Sequence, residues 1–301
     1  MTRKVSGFHF VSAVLMLNLF CIVPAKSAEN IPDGIVKEYY ADGNIKAEWR
    51  YKNNKLEGVS KKYSERGGIS STENYQDGQK EGISVDYYEN GTVMSERNYV
   101  DDRLNGITKK YYESGKLNWT RNYVDDQLEG VAKEYFENGK LLSEENYKEN
   151  LLEGVAKRYY DNGVVNFESI YVKGKLEGSV KEYDDKGNVK YWWTYKNNKL
   201  EDFSNEYFPS GKVAAEWSYE GGKKNGVSIK YYESGKVKAD EMYKADVLDG
   251  ITKGYFDADI ETPAFVDTYK NGQLINHKTY DKNGRIELNQ SYPYNGKEKE
   301  E

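Results

Sequence analysis

The sequence repeats at intervals of 24 residues, and no insertion interrupts that spacing from Gly34 to Gly250. Glycine opens the units at Gly34, Gly58, Gly82, Gly106, Gly130, Gly154, Gly178, Gly226 and Gly250, and only Asp202 breaks the series. Five residues after each start stands a tyrosine: Tyr39, Tyr63, Tyr87, Tyr111, Tyr135, Tyr159, Tyr183, Tyr207, Tyr231 and Tyr255. A second series, Tyr51, Tyr75, Tyr99, Tyr123, Tyr147, Tyr171, Tyr195, Tyr219 and Tyr243, runs in step with it. Between the two lies a further glycine, from Gly43 and Gly67 to Gly235. A fixed period of this length marks one supersecondary unit copied and stacked, because a single copy cannot bury its apolar face alone.

Each unit reads as a β-hairpin. In the unit at Gly130, "GVAKEYF" is rich in β-formers and too short for a helix, and "ENGK" is a turn whose Gly139 can take positive φ. "LLSEENY" is the return strand, with Leu141, Ser143, Glu145 and Tyr147 on one face and Leu142, Glu144 and Asn146 on the other. "KENLLE" turns the chain into the next unit, and leucine recurs there from Leu56 to Leu248. The sequence therefore predicts an all-β fold, an elongated single-sheet antiparallel β-hairpin repeat solenoid of about ten 24-residue units and about 20 short strands. The units start near 34, 58, 82, 106, 130, 154, 178, 202, 226 and 250, and a degraded cap follows at 275–292. The tyrosine series beginning at Tyr39 is the expected structural ladder from unit to unit.

The segment before the array has a different character. Residues 1–27 read as a signal peptide, with Arg3 and Lys4 before a mostly apolar Val11–Val23 stretch and small residues suited to cleavage after Ala25 or Ser27. That stretch is too short, and too interrupted by Ser12 and Asn18, for a membrane span of roughly 20 residues. The mature chain is thus expected to lack an integral span and to be secreted or periplasmic, with 28–33 a short linker and 293–301 a polar tail. Cys21, the sole cysteine, lies in the leader, so the mature chain has neither disulfides nor thiolate chemistry. Cleavage after Ala25 also removes Arg3 and Lys4, leaving 42 basic residues of the 44 against 50 acidic ones, a net charge of −8. An acidic surface argues against a nucleic-acid partner. Hydrophobic content of 37% is low for a globular domain, yet 29 tyrosines exclude disorder and suit a sheet open to water without one thick core.

The "G-V-x-K-x-Y-Y/F-x-x-G-K-L" core and the following "N-Y-x-x-x-x-L-x-G" recur from Gly34 to about Tyr292. This pattern resembles the bacterial variant of the MORN repeat. The resemblance implies hairpin solenoids that bind proteins or surfaces without being catalytic, and in some members an antitoxin role. The chain departs from the pattern at Asp202–Phe203 and at "DADIETPAFVDTY", where the turn glycine is lost and the tyrosine shifts by two.

Catalytic, cofactor and metal sites are not expected. His277 is the one histidine of the mature chain and reads as a solvated loop residue. The acidic turns at Asp101–Asp102 and Asp125–Asp126 are replaced by "KNNK" in other units, so they read as solvated turns and not as calcium loops. The clearest departure is "KYWWTYK". The place of Trp192 is held elsewhere by Glu48, Glu96, Glu144, Glu168 and Glu216, and the next place also accepts charge, as at Glu73 and Arg97. Both places read as solvent-facing, which makes Tyr191, Trp192, Trp193 and Trp217 a candidate aromatic patch for a partner.

The expected function is a non-enzymatic scaffold that binds a protein or cell-surface component through its extended sheet. Two alternatives are an antitoxin- or immunity-type inhibitor, and a wall- or glycan-binding aromatic array. Oligomeric state stays open, and edge strands at both ends permit end-to-end association unless they are capped.

Overall fold

A computed structural model describes residues 30–259 and 262–296. The signal-peptide reading and the last five residues of the polar tail lie outside the described residues. The fold is all-β: 30 strands among the described residues join one open antiparallel sheet built of hairpin repeats.

Most units have three strands where two were expected; at Lys175–Tyr183 and Gln273–Tyr280 the short strand runs on into the next long one. In the unit at Gly130 the three are Gly130–Tyr135, Leu141–Lys148 and Leu151–Leu152. The first two pair from Gly130↔Tyr147 to Glu134↔Ser143, and a bulge then shifts the register to Tyr135↔Leu141. The turn between them closes where the Phe136 N–H donates to the Lys140 carbonyl and the Gly139 N–H to the Phe136 carbonyl, each at 2.8 Å. The third strand folds back through a two-residue turn, and Glu149 and Asn150 both hold positive φ, at 51° and 67°. Such a turn matches the right-handed twist of the strands it joins. Asn, Asp and Gly recur at these two places, as in Asn53–Asn54 and Gly221–Gly222, because they enter that region at low cost.

Asp202 shows what the opening position requires. It holds φ at +56°, in the left-handed region that glycine occupies in the other units. Its strand, Asp202–Tyr207, still pairs in the standard register from Asp202↔Tyr219 to Tyr207↔Val213. The break in the glycine series leaves the repeat intact.

Neighbouring units meet through few strand pairs and a ladder of turns. Between the units at Gly130 and Gly154 only Ser143↔Arg158 and Glu144↔Lys157 pair. The other end of the second strand pairs with the short strand instead, Tyr147 opposite Leu152. Three turn bonds complete the junction with the preceding unit. The Asn150 N–H donates to the Leu128 carbonyl at 3.0 Å. In return the Leu128 N–H donates to Asn150 Oδ1 at 2.7 Å, and the Glu149 N–H donates to Glu129 Oε2 at 3.0 Å. The set recurs with Asn198, Leu176 and Glu177. The acidic turns belong to it too: Asp102 Oδ1 accepts the Lys80 N–H, and Asp126 Oδ1 accepts the Leu104 N–H, each at 2.7 Å. These polar turns are therefore not merely solvated; they bind unit to unit.

The buried interior is thin. The third residue of most units is small and buried, as at Ser60, Ser84, Ala132, Ala156 and Ser204. The largest concentration of apolar burial joins Ala156, Tyr171, Leu176 and Val180, with Leu152, Trp193 and Tyr195 packed against them. The second tyrosine series holds the buried members, Tyr75 and Tyr171 at 9% and 3% exposed; the first is half-buried inside the array, and Tyr39 on the edge strand is 55% exposed. The first series links units through its hydroxyls instead. Tyr63 donates to Glu48 at 2.9 Å, and Tyr255 to Asp240 at 2.8 Å, across unit boundaries.

The C-terminal segment is more regular than a degraded cap. Gln273–Tyr280 and Ile286–Ser291 form a further hairpin with the standard bulge. His277 lies in its first strand and not in a loop, with Nδ1 2.5 Å from Asp267 Oδ1.

Leu176→Ala should lower unfolding stability by about 2–5 kcal/mol, since it opens a hole in the best-packed cluster. Leu151→Ala, at a side chain 47% exposed, should cost about 0.5 kcal/mol or less. Urea titration followed by circular dichroism compares the two.

Candidate binding faces

The pleat sorts every unit onto two faces. One carries the third residue of the unit, the tryptophans at Trp49, Trp193 and Trp217, and the buried tyrosine series, as the pairs Val180↔Trp193, Ser204↔Trp217 and Gly178↔Tyr195 show. The opposite face carries the residue after the opening glycine, and the pairs Lys37↔Glu48 and Lys181↔Trp192.

The four residues of the expected patch divide between these faces. Tyr191 and Trp193 stack, with ring centroids 5.2 Å apart and planes 14° from parallel. Trp217 shares their face, with Lys224 Nζ 3.3 Å and Lys230 Nζ 5.5 Å from its ring centroid. Burial lowers the Lys224 pKa, and the ring's electron-rich face stabilises the cation that remains. Trp49 and Trp119 on this face have similar companions, in Lys62 at 5.4 Å and Arg121 at 4.4 Å. Trp192 lies across the sheet from all of these. It is 40% exposed, and its ring holds Lys181 Nζ at 5.1 Å.

The place of Trp193 is not solvent-facing, contrary to expectation. Glu73 occupies it in an earlier unit and is 7% exposed. Burial would raise its pKa, but Lys80 at 2.8 Å and Lys62 at 3.0 Å outweigh that, aided by the Tyr75 hydroxyl at 2.8 Å. The carboxyl is held down at about 2. Glu145 and Glu241 likewise accept from Tyr147 and Tyr243 of their own strands. These carboxylates are parts of the interior.

The outer face carries a feature that no single unit reveals. The residue after each opening position is exposed and apolar in nine units: Ile35, Val59, Ile83, Ile107, Val131, Val155, Phe203, Val227 and Ile251. Ile83 and Ile35 are 61% exposed and Phe203 66%. Residues of this row stand two strands apart, roughly 10 Å. Between them lie asparagines that bond back to the chain, such as Asn74 to the Glu81 carbonyl at 2.8 Å and Asn98 to that of Asn105 at 2.6 Å. Beside the row run neutralised pairs, including Lys37–Glu48 at 3.2 Å, Lys133–Glu144 at 3.0 Å and Lys157–Glu168 at 3.1 Å. The signal was present in the sequence as a β-branched residue after nearly every glycine, at a place that only the strand register shows to be exposed.

Concave sites are small. A hollow of about 180 Å³ lies between the turns around Asp184–Tyr191 and Tyr207–Pro209, below the roughly 300–1,000 Å³ usual for small-molecule pockets. No cluster of three metal-ligating side chains occurs among the described residues. No helix among them is long and apolar enough to cross a membrane.

Fold and faces together define a hairpin-repeat scaffold. The family model described as a MORN repeat variant matches seven times, at residues 32–53, 80–101, 104–125, 128–149, 152–173, 176–197 and 224–245. The chain belongs to the MORN-repeat family in its variant form. No curated protein matches it. Solved structures similar to it include the TcdB2-TccC3-TEV complex, at 13% identity and TM-score 0.19 over 82% of this chain and 14% of that one. The Photorhabdus luminescens Tc holotoxin pore with the TccC3-D651A mutation is another, at 13% identity and TM-score 0.17 over 86% of this chain and 16% of that one. The chain thus spans about a sixth or less of the length of these proteins.

Because the folded pKa of Glu73 lies below its ordinary 4.5, its ionised form adds stability above that pH and loses it as pH falls towards 2. Glu73→Gln should therefore be less stable than the parent at pH 7, and the difference should shrink through that window. Thermal melts across pH 2–7 measure it.

Proposed function

We propose that this chain is a non-enzymatic scaffold, secreted or periplasmic, whose extended sheet binds a protein or cell-surface partner through its outer face. The observation that carries this reading is the row of nine exposed apolar side chains, from Ile35 to Ile251, repeated in register along the array. Exposed apolar side chains scattered singly are ordinary, but here they fall in one line at the same place of successive units, as a repeated contact surface would. Trp192 projects on the same face and supplies the kind of aromatic anchor that dominates binding energy. The inner tryptophans serve another purpose: Trp193 packs on the buried cluster, and Trp217 lies under Lys224. The neutralised lysine–glutamate pairs beside the row favour a partner recognised by apolar contact over one recognised by net charge. The leader-like residues 1–27 support export.

Capture of a partner from envelope extracts tests the binding face. The triple variant Ile83→Asp, Ile107→Asp, Val131→Asp should lose the partner, and Trp192→Ala should weaken it, with melting temperatures close to the parent's. Undiminished capture by the triple variant would contradict the reading. Cell fractionation with N-terminal sequencing tests export; a product starting near Lys26 or Ala28 outside the cytoplasm is expected, and an intact cytoplasmic chain would contradict it.

A further inference from the structure

The two ends of the sheet carry complementary halves of the junction that joins every pair of units. At most internal boundaries, two residues of one unit's second strand pair with two of the next unit's first strand; the boundaries at Phe167–Ser169 and Phe265–Thr268 have more. Examples are Ser143↔Arg158 with Glu144↔Lys157, and Ala215↔Lys230 with Glu216↔Ile229. In the last hairpin, Leu288 and Asn289 hold the places of Ser143 and Glu144, because they pair inward with Thr279 and Lys278 in the same register. In the first unit, Glu38 and Lys37 hold the places of Arg158 and Lys157, pairing inward with Ala47 and Glu48. Among the described residues, no strand covers the outer edge of Gly34–Tyr39 or of Ile286–Ser291.

We infer that copies of this chain bind one another end to end, with Leu288 and Asn289 of one copy pairing with Glu38 and Lys37 of the next as a further unit boundary. The side chains present at the two edges suit that boundary. Leu288 would stand opposite Glu38, as Phe167 stands opposite Glu182 inside the array. Tyr39, 55% exposed, would bring its hydroxyl to Asn289, as Tyr63 brings its own to Glu48. Charge on an edge strand usually deters pairing. Here lysine and glutamate occupy the same places at internal boundaries that do pair, such as Trp119↔Glu134 and Thr120↔Lys133, so Lys37 and Glu38 do not block the edge.

The described residues next to the two ends leave these edges open. Near the N-terminus, Asp33 Oδ1 accepts the Asn53 N–H at 2.7 Å, taking the part that the turn glutamate plays elsewhere. Near the C-terminus, Tyr294 accepts from Asn271 at 2.8 Å and lies 4.7 Å from Lys270 Nζ. Asp33 and Tyr294 thus close the turn ladder and not the strand edge, while Leu288 is 44% exposed. A joint between copies has the strand pairs of an internal boundary without its turn bonds, so it is weaker and reversible. Because the two surfaces differ, the contact is head-to-tail and leads to open chains of copies, not closed dimers.

Sedimentation velocity on protein purified from cells expressing the full chain tests this. The parent should form a concentration-dependent series of dimers and longer species. Leu288→Glu sets a carboxylate against Glu38 and should weaken association about tenfold or more. The double variant Leu288→Glu, Glu38→Lys should restore it, with circular dichroism unchanged throughout. A parent that stays monomeric at all concentrations, or association that ignores Leu288→Glu, would overturn the inference.

Discussion

The structure depends on one recurring contact: a backbone N–H at the tip of most short turns, held by an acidic side chain of the unit before it, with Asn105 and Asn225 in the acid's place at two others. Glu129 holds the Glu149 N–H, Glu153 the Lys173 N–H and Glu201 the Gly221 N–H, at 3.0, 2.7 and 2.8 Å. Each bond spans 20 residues, so it fixes the spacing between units and not the fold within one. Hydrogen bonds to a charged acceptor are stronger than neutral ones. The ladder can therefore hold a sheet whose adjacent units share only two strand pairs at most boundaries. The side chain of the second turn residue adds to it by accepting an amide from the preceding unit, as Asn198 does from Leu176.

Given that ladder, the modest core becomes intelligible. Few apolar side chains are fully buried, and several of the most buried residues are serines and threonines such as Ser60, Ser84 and Thr108. The inner face draws further cohesion from tyrosine–glutamate bonds and from cations laid over tryptophan rings. Glu73 shows the balance involved: an almost fully buried carboxylate remains ionised because two lysines and a tyrosine hydroxyl converge on it. The outer face has bonds of this kind too, as at Tyr63–Glu48 and Lys37–Glu48, but its apolar row stands exposed beside them. That asymmetry is the ground for the proposal that one face serves cohesion and the other recognition.

Much of this was legible in the sequence. The 24-residue period gave the hairpins, and "ENGK" gave their turns. Other features were hidden for identifiable reasons. The strand Leu151–Leu152 is too short for any pattern of hydrophobicity to show. The glutamate of "LEG" looks like an ordinary surface residue until the turn of the following unit is placed beside it. A carboxylate in a repeat position reads as a sign of water, and Glu73 breaks that rule because its partners come from three different places in the chain. The separation of Trp192 from Trp193 needed no structure, since neighbours on a strand point to opposite faces. The candidate aromatic patch joined residues that the pleat keeps apart.

The account holds that each unit is stabilised by its immediate neighbours, so one unit can be removed without changing the rest. Deleting residues 130–153 joins Glu129 directly to Gly154 and recreates a regular junction. The shortened chain should retain the β-sheet circular dichroism of the parent and unfold cooperatively, with a urea m-value lower by roughly a tenth. A deletion variant that fails to fold would contradict the account, since it would show that the units depend on contacts beyond their neighbours.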